Sequence, residues 1–515
     1  MSLAARGHAQ SHPDALALTD GLRSYTWAEL DRTLNRAANA LISAPWSGRR
    51  RAAVLARNSA EAVIAYLGCL HAGVSAVPTN SQLTADEVAY ILEDSGAEFL
   101  FVDAETAAAG LAAARRVGGA LVIGLGAPVM AGVTPWEDWL AAASEADPPE
   151  DLEPLPYLQY TSGTTGRPKA VEAVATTLHR APTTKAFFEH LRGAPPFSNA
   201  GPHLVVGPLY HNGPLNAVRV LGAGAPVVVL PRFDPEAVLK AIDEHRVASS
   251  LMVPTHFQRL LALPPEVRRR YDLSSLQVIA HTGAACPREV KAAMIAWFGP
   301  VLVEAYGGTE CGTTNTITSK EWLKHPGSVG RTLEAFELQV IGENGERLGP
   351  NQVGQIYFRD KSGRGVVYLN DPDKTRAAHR QPGVFTLGEV GYFDDEGYVY
   401  ITDRVSDLIV SGGVNIYPAE VEQLLLTHPQ VADAVAIGTP HPEMGEEVKA
   451  LVVPRDPADP PGAESLIAFC RDRLAAYKCP RTVELVSDIG RNALGKVNKR
   501  ALRAPYWPTE RTIGG

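Results

Sequence analysis

The residues with the clearest chemical meaning in this chain are the ten from Tyr160 to Lys169, YTSGTTGRPK. Six of the seven residues from Thr161 to Arg167 are Gly, Ser or Thr. Glycines let the backbone approach an anion closely, hydroxyl groups add hydrogen-bond donors, and the final lysine supplies a positive charge that can follow a moving phosphate group. The order predicts a phosphate-binding loop. The alternative is a flexible linker, but linkers do not end in Arg-Pro-Lys after an apolar stretch such as Leu155 to Tyr160.

This loop differs from the common nucleotide P-loop, in which four residues separate a glycine from Gly-Lys-Ser/Thr. A second segment, Gly490 to Lys496, does have the P-loop spacing. Val497 follows it, however, where the P-loop needs a Ser or Thr hydroxyl for Mg²⁺. A P-loop NTPase is therefore disfavoured.

The loop from Tyr160 to Lys169 resembles that of the adenylate-forming superfamily, which includes acyl-CoA synthetases, adenylation domains of peptide synthetases and beetle luciferases. The resemblance implies that the loop binds the β- and γ-phosphates of ATP while a carboxylate attacks the α-phosphate. It further implies that Thr164 lies near Mg²⁺. The residues to which it assigns the nucleotide are Thr161, Ser162, Gly163, Thr164, Thr165, Gly166 and Lys169.

Downstream, YGGTE resembles the family's YGxTE motif. The resemblance implies that Tyr306 stacks near adenine beside Gly307, that Thr309 contacts the α-phosphate, and that Glu310 ligates Mg²⁺. Taken alone, the motif is also ordinary turn material, with a solvent-exposed Glu310 as the alternative. Its occurrence after the phosphate loop favours the functional interpretation.

Three more segments extend the resemblance. Gly283, Ala284 and Ala285 lie in HTGAACP, which resembles the segment that lines the adenine and acyl pocket. His211 lies in PLYHNGPL, which resembles the segment whose histidine sits between the carboxylate site and the thiol tunnel; a structural histidine is the alternative. Lys496 resembles the lysine that neutralises the transferring carboxylate and phosphate, with a solvated basic residue as the alternative.

The stretch from Asp403 to Glu422, DRVSDLIVSGGVNIYPAEVE, resembles the family's interdomain hinge and the pantetheine-facing strand after it. The resemblance places Asp407 at the hinge, Arg404 at the ribose, and Gly412 and Gly413 beside pantetheine. It implies a small domain that rotates between two half-reactions, first presenting Lys496 for adenylation and then the glycines for thioester formation. A single loop residue can absorb such a rotation.

Several departures from the family pattern cluster on the nucleotide side. Glu389 stands in Leu387-Gly388-Glu389 where the family has Thr-Gly-Asp, and Asp403 precedes Arg404 where the family has Gly. Ser406 replaces the usual hinge Lys, and Ala170 replaces the Gly after Lys169. Losing one charge-assisted hydrogen bond costs about 1.5–3 kcal/mol, and each step of about 1.4 kcal/mol is tenfold. We therefore expect weak adenylation, with thioester formation from an acyl-adenylate that a separate enzyme could supply.

The pattern of the rest of the chain predicts an α/β fold with parallel sheets. Thr26 with Glu29, and Thr84 with Glu87, form capping-box patterns before apolar residues at helical spacing, and another helix is predicted from Asn58 to about Gly73. Short apolar runs predict buried strands: Ala52 to Ala56, Glu98 to Val102, Leu204 to Val206, Pro226 to Leu230 and Leu276 to Ala280.

The texture changes in the last third. From about Glu337 to Tyr400, short alternating segments with Gly-rich turns predict an antiparallel, barrel-like part. We expect a large N-terminal domain, residues 1–407, and a small mobile α+β domain, residues 408–515. Within the latter, Pro454 to Glu464 predicts a loop before a helix that ends near Tyr477.

Composition excludes several other classes. The 48 basic and 57 acidic residues give a net charge of −9 without a long basic run, which disfavours nucleic-acid binding. The five cysteines are scattered without CxxC spacing, so neither a disulfide framework nor a zinc site is expected. The N-terminus has no apolar segment of signal-peptide length, and no membrane insertion is expected. The sequence predicts a cytoplasmic enzyme, with a homodimer as the default for its size.

Together these features predict an acyl-CoA ligase that uses ATP, Mg²⁺, CoA and a small-molecule carboxylic acid. A free-standing adenylation enzyme that loads a carrier protein is the first alternative, and a catalytically inactive homologue is the second. Small residues in the pocket segments leave room for a bulky acid, including Gly213, Gly283, Ala284, Ala285, Gly307 and Gly308. In its departures and length the chain resembles acyl-CoA ligases of diterpenoid antibiotic pathways of the platensimycin type.

Overall fold

The described part of the protein contains five sheets in the computed structural model: two mainly parallel sheets, one antiparallel sheet, a small C-terminal sheet and a two-stranded ribbon. The structure describes residues 5–126, 130–161, 169–173, 181–191, 201–283, 286, 288–342, 344–404, 409–416, 418–490, 497 and 499–507.

The strands in chain order are β1 (Leu16–Thr19), β2 (Ser24–Thr26), β3 (Arg51–Leu55), β4 (Ser75–Pro78), β5 (Phe99–Val102), β6 (Leu121–Gly124), β7 (Thr134–Pro135), β8 (Tyr157–Thr161), β9 (Lys169–Ala173), β10 (His203–Val205), β11 (Val227–Val229), β12 (Ser249–Met252), β13 (Val278–His281), β14 (Leu302–Gly308), β15 (Gly312–Thr318), β16 (Arg331–Thr332), β17 (Phe336–Ile341), β18 (Gly354–Asp360), β19 (His379–Gln381), β20 (Val384–Phe385), β21 (Glu389–Phe393), β22 (Val399–Arg404), β23 (Ile409–Ser411), β24 (Val414–Ile416), β25 (Val431–His441), β26 (Gly445–Pro454) and β27 (Thr482–Leu485).

The helices are α1 (Arg6–Ser11), α2 (Trp27–Ile42), α3 (Ala60–His71), α4 (Ala85–Ser95), α5 (Ala107–Val117), α6 (Trp136–Ala141), α7 (Thr184–Leu191), α8 (Asn212–Ala217), α9 (Pro235–Glu244), α10 (Pro254–Leu261), α11 (Pro265–Arg268), α12 (Arg288–Phe298), α13 (Ser319–Trp322), α14 (Pro372–Ala377), α15 (Pro418–Leu426), α16 (Ala463–Arg471) and α17 (Lys499–Arg503). Short 3₁₀ helices occur at Val218–Ala223, Ala476–Lys478 and Ala504–Tyr506.

Two parallel sheets share one core. The five-stranded sheet has the order β4-β3-β5-β6-β7, and the nine-stranded sheet has the order β16-β15-β14-β13-β12-β10-β11-β1-β2 with a parallel centre. Helices α2 and α3 pack between the two sheets, and every residue of α3 is buried. Because both faces of a parallel sheet are covered, its strands are short continuous apolar runs, as the sequence predicted.

Local signals set the helix boundaries. Thr26 accepts a hydrogen bond from the Glu29 amide while the Glu29 carboxylate accepts one from the Thr26 amide, and Thr84 and Glu87 form the same reciprocal pair. Both predicted capping boxes are confirmed. Helix α3 spans Ala60–His71, within two residues of its predicted limits, and begins at the Ser59 side chain, which caps the Ala62 amide.

The antiparallel part predicted between Glu337 and Tyr400 is also present. Strands β17 to β22 form a sheet in which β18 pairs with β17, β20 and β21. The core beside this sheet is aromatic. Phe336, Phe358 and Phe385 lie on the neighbouring strands β17, β18 and β20, and their side chains pack together on one face of the sheet.

The small sheet, β24-β23-β26-β25 with β27 beside β26, has a core of its own with α15 and α16. The predicted helix end near Tyr477 is wrong, because α16 ends at Arg471. Ala475 leaves the helical conformation with φ −58° and ψ 139° and is buried against residues of the five-stranded sheet and its helices. Because Ala475 packs there with an extended backbone, the helix cannot continue as far as Tyr477.

One side chain joins the two parallel sheets. Asn58 follows β3, and its amide nitrogen donates to the carbonyl oxygens of Gly207, at 2.9 Å, and Leu230, at 3.1 Å, which follow β10 and β11. Its amide oxygen accepts from the Leu209 backbone N–H at 2.8 Å. Asn58 is buried, so water cannot take its place as the hydrogen-bond partner of these backbone groups.

We expect Asn58→Ala to lower the free energy of unfolding by about 2–4 kcal/mol, because it removes hydrogen bonds and leaves buried backbone groups unpaired. Urea unfolding followed by circular dichroism measures the change. Asn39→Ala is the matched control, since Asn39 also donates to two carbonyl oxygens, those of Ser144 and Ala146, but is partly exposed. Equal losses for the two variants would contradict the bridging role of Asn58.

Candidate active site

The predicted phosphate loop connects the two strands of an antiparallel ribbon. β8 and β9 pair antiparallel, with Thr161 opposite Lys169 and Tyr160 opposite Ala170. The Tyr160 hydroxyl donates to Asp94 at 2.7 Å, and the Leu369 amide donates to the Ala170 carbonyl at 2.9 Å. The base of the loop is therefore fixed between α4 and the segment that leads to α14.

Part of the predicted site lies outside the described residues. This applies to Ser162, Gly163, Thr164, Thr165, Gly166, Ala284, Ala285, Asp407 and Lys496. For Thr161, Lys169 and Arg404 the structure describes the backbone.

Glu310 lies close to the base of the loop through Tyr368, a residue that the motifs did not indicate. The Tyr368 hydroxyl donates to Glu310 Oε1 at 3.3 Å, and Tyr368 forms a β-bridge with Val171 of β9. The Lys374 ammonium lies 3.9 Å from the centre of the Tyr368 ring, an arrangement that places a positive charge near this carboxylate. Sequence reasoning missed both residues because neither belongs to a recognisable motif.

The oxygen atoms of Glu310 fit a ligand of Mg²⁺. Oε2 lies over Gly308, where a Cβ would come within 2.9 Å of it, so the glycine makes room for the carboxylate. Mg²⁺ is commonly bound by one or two carboxylates together with phosphate oxygens and water. The position of Glu310 beside the ribbon that carries the predicted phosphate loop matches this pattern.

The nucleoside residues implied by the resemblance are neighbours. The Tyr306 hydroxyl donates to Glu389 Oε2 at 2.9 Å, and Glu389 is 4% exposed. Arg404 pairs with Glu389 across strands β21 and β22. Gly307 begins the irregular part of the β14–β15 ladder, where a Cβ would overlap the backbone of Gly312. Tyr306 and Glu389 are 83 residues apart in the sequence, and the antiparallel sheet brings them into contact.

His211 immediately precedes α8 and is half-buried. Its ring centre lies 4.6 Å from that of Tyr210, and its backbone N–H donates to the Pro208 carbonyl. Burial lowers the pKa of His211 to about 4, so the imidazole is neutral at pH 7. Asn58 fixes Gly207 and Leu209, and the segment that carries His211 therefore has a defined position.

The glycine turn of the small domain contacts the large domain at the carboxyl ends of β12 and β13. Gly412 and Gly413 have φ angles of +57° and +79°, and Gly283 has +86°. A Cβ on Gly413 would lie 3.3 Å from Val253 Cγ1, and one on Gly283 would lie 3.9 Å from the Gly413 carbonyl oxygen. Glycine suits both the backbone conformation and the close approach at this turn.

Comparison with known proteins identifies the family. Residues 5–366 match the family model described as AMP-binding enzyme, and residues 420–496 match the AMP-binding enzyme C-terminal domain. The chain therefore belongs to the adenylate-forming, AMP-binding enzymes.

Relatives are similar over nearly their whole length. A feruloyl-CoA synthase of Amycolatopsis sp is 34% identical over 97% of each chain. The 3-[(3aS,4S,7aS)-7a-methyl-1,5-dioxo-octahydro-1H-inden-4-yl]propanoyl:CoA ligase of Mycobacterium tuberculosis is 34% identical over 95% of this chain and 96% of its own. The fatty acid–[acyl-carrier-protein] ligase ScoC of Streptomyces coeruleorubidus is 32% identical over 97% and 95%. The protein is an AMP-forming acid–thiol ligase, of a class that uses ATP, Mg²⁺ and CoA.

Solved structures agree with the fold. The amide bond synthetase McbA from Marinactinospora thermotolerans superposes with a TM-score of 0.83 at 29% identity, over 98% of this chain and 100% of its own. A double mutant of o-succinylbenzoate CoA synthetase, MenE, from Bacillus subtilis with the product analogue OSB-NCoA gives 0.81 at 29% identity, over 98% of each chain. MenE with the acyl-adenylate OSB-AMP gives 0.65 at 29% identity, over 100% and 99%.

In the described part of the chain, no helix has the length and apolar character needed to cross a bilayer.

Tyr306→Phe tests the hydrogen bond to Glu389. We expect the free energy of unfolding to fall by about 1–3 kcal/mol, because a buried carboxyl group loses a donor. Chemical denaturation measures the change. The control is Tyr392→Phe in β21, where the half-buried Tyr392 ring stacks on Tyr400 and a change within about 0.5 kcal/mol is expected. An unchanged stability for Tyr306→Phe would contradict the assigned contact.

Proposed function

We propose that this enzyme specialises in the second half-reaction of acyl-CoA synthesis, the attack of the CoA thiol on an acyl-adenylate, and that it forms the adenylate slowly or not at all. The observation that carries the proposal is the position of the Gly412–Gly413 turn against Val253 and Gly283. A pantetheine arm that passes beside this turn would reach the carboxyl ends of β12 and β13.

The two MenE complexes support this interpretation of the domain arrangement. Both complexes contain MenE, with 29% identity to this chain in each case. The TM-score against this chain is nevertheless 0.81 for the complex with the product analogue and 0.65 for the complex with the acyl-adenylate. The difference is explained most simply by a different placement of the small domain. The arrangement here matches the product-analogue complex more closely, which supports assigning it to thioester formation.

Each residue has a proposed role in this scheme. Thr309 and Glu310 hold the α-phosphate and Mg²⁺, and Tyr306, Glu389 and Arg404 hold the nucleoside. His211 lies beside the reacting carbonyl group. Because its imidazole is neutral at pH 7, its role is to orient that group and not to supply a charge. The phosphate loop and Lys496 serve adenylation, and rotation about Asp407 exchanges Lys496 for the Gly412–Gly413 turn.

Glu389 is the main reason to expect weak adenylation. It is one methylene longer than the aspartate of the family, and its carboxyl group already accepts a hydrogen bond from Tyr306. A group held in this way is poorly placed to accept both ribose hydroxyls. A lost ribose contact weakens ATP and acyl-adenylate by the same free energy, but the acyl part gives the acyl-adenylate additional binding energy with which to remain bound.

The substrate is proposed to be a bulky ring-containing acid of specialised metabolism. The names of two relatives specify feruloyl and methyl-dioxo-octahydroindenyl propanoyl groups, both of which contain rings. The space expected at three of the small residues is already filled: Gly213 packs against Leu251, Gly307 against the backbone of Gly312, and Gly308 against Glu310 and Leu387. The proposal of a bulky acid of the diterpenoid type therefore rests on the ring-containing relatives and not on these three glycines.

The deciding experiment compares two rates for the same enzyme. ATP–pyrophosphate exchange is measured with a panel of ring-containing acids, and CoA thioester formation is measured by mass spectrometry with the corresponding synthetic acyl-adenylates. We expect thioester formation from at least one adenylate, with exchange at least about tenfold slower, the factor that one lost hydrogen bond of about 1.4 kcal/mol gives. Exchange as fast as thioester formation would overturn the specialisation.

Gly413→Ala separates the half-reactions. The new methyl group meets Val253 and requires φ near +79°, so we expect thioester formation from acyl-adenylate to fall about tenfold or more, which corresponds to about 1.4 kcal/mol. Any pyrophosphate exchange should change less than about twofold. The control is Gly397→Ala, since Gly397 has φ +83° with open space around its Cβ position. Similar effects of both substitutions would show that backbone strain alone is responsible.

A second candidate is transfer of the acyl group to a carrier protein, favoured by the similarity to ScoC. The test is whether CoA alone supports thioester formation. A product seen only with a phosphopantetheinylated carrier protein would establish this alternative.

A further inference from the structure

A buried lysine of the small domain binds carboxylates from both domains. The Lys478 ammonium donates to Glu420 Oε1 at 2.8 Å, within the small domain, and to Glu87 Oε1 at 2.9 Å, on α4 of the large domain. The side chain of Lys478 is 3% exposed, and those of Glu87 and Glu420 are 12% and 9% exposed. The three groups form the buried Lys478 bridge.

Each domain retains a partner for its own charged group if the domains separate. Lys478 keeps Glu420, and Glu87 Oε2 accepts hydrogen bonds from the backbone and hydroxyl of Thr84 in the capping box. The contact between Lys478 and Glu87 is therefore the one part of the bridge that depends on the domain arrangement. Because it is buried, water screens it little.

The backbone around the bridge supports the same contact. Ala475 packs into the core beside α4 and α5, and Tyr477 packs against both the large-domain core and the small-domain core. The turn from Ala475 to Lys478 therefore places the ammonium group at Glu87. Burial lowers the pKa of Lys478, but Tyr477, Glu420 and Glu87 raise it well above its ordinary value, so the ammonium remains charged.

A second ion pair across the domains is of a different kind. Arg259 of α10 donates to Glu443 in the turn between β25 and β26 at 2.5 Å. Both side chains are well exposed, at 35% and 50%. Exposed pairs contribute little because water and salt screen them. Of these two pairs, the buried Lys478 bridge is the one that can bias the arrangement.

We propose that Lys478 is a positioning residue whose ion pair with Glu87 favours the domain arrangement in which the Gly412–Gly413 turn lies at the active site. This inference rests on the proposed function. In this scheme the bridge acts through the glycine turn and contacts neither substrate nor cofactor. The bridge breaks when the small domain rotates, so it opposes the arrangement that presents Lys496 and reinforces the preference for thioester formation.

The test substitutes the large-domain partner, because Lys478 is buried and its replacement risks the fold. Glu87→Gln keeps the capping box, since glutamine also serves at that position, and removes the charge that Lys478 meets. We expect thioester formation from synthetic acyl-adenylate to fall about five- to tenfold, with thermal stability nearly unchanged. Pyrophosphate exchange should remain constant or rise.

Two controls isolate the interdomain contact. Arg259→Ala removes the exposed pair and should change either rate less than twofold. Glu420→Gln removes the partner within the small domain, and it should leave the ratio of the two rates closer to that of the wild type than Glu87→Gln does. The proposal would be overturned if Glu87→Gln left the ratio of the two rates unchanged, whether both rates fell by the same factor or neither changed.

A readout independent of catalysis separates this inference from the proposed function. Small-angle X-ray scattering of the unliganded enzyme should fit the present domain arrangement better for the wild type and Arg259→Ala than for Glu87→Gln. Identical profiles for all three proteins would refute the bridge even if the enzyme makes acyl-CoA. A shifted profile for Glu87→Gln in an enzyme that makes no thioester from acyl-adenylate would instead refute the proposed function alone.

Discussion

The side-chain amide of Asn58 connects the two sheets on which the active site depends. It extends from the end of β3 in the five-stranded sheet to the ends of β10 and β11 in the nine-stranded sheet. Amide groups suit this position because one side chain can donate to two carbonyl oxygens and accept from an N–H group. Helices α2 and α3 are buried between the sheets, and together with the Asn58 hydrogen bonds they join the two parallel sheets into one body. The segment that carries His211 leaves directly from this junction.

The remaining parts of the site lie on the two-stranded ribbon and on the antiparallel sheet, which pack against that body. The ribbon β8–β9 meets Tyr368, and Tyr368 meets Glu310. The antiparallel sheet adds Glu389, which accepts a hydrogen bond from Tyr306. Thus residues from three sheets converge at the carboxyl ends of the central strands, where open α/β sheets place their ligands.

Two of the contacts that the small domain makes with this body, among the described residues, are of opposite character. The glycine turn at Gly412 and Gly413 packs closely against Val253, a contact that depends on steric fit and not on charge. The Lys478 bridge at α4 supplies electrostatic attraction in a buried environment. A steric contact and an ion pair can be broken and remade without unfolding either domain, which suits a domain that changes position between reactions.

Features of this protein that depend on residues close together in the sequence could be predicted, whereas features that depend on residues far apart in the sequence could not. The capping boxes at Thr26 and Thr84, the buried strand β3 and the limits of α3 follow from neighbours within a few positions, and the sequence predicted them. The end of α16 was predicted wrongly because its cause is a contact of Ala475 with a distant core. The family could be recognised because its motifs are local strings such as YTSGTTGRPK and YGGTE.

The sequence by itself therefore determined the class of chemistry, through motifs whose residue types suit phosphate and Mg²⁺. Only the tertiary structure decided which groups meet. The contacts of Tyr306 with Glu389, Tyr368 with Glu310, and Lys478 with Glu87 join residues 83, 58 and 391 positions apart. No local pattern encodes such pairs, because the packing of whole sheets and domains brings them together, and a charge or hydroxyl group on the chain carries no record of its eventual partner.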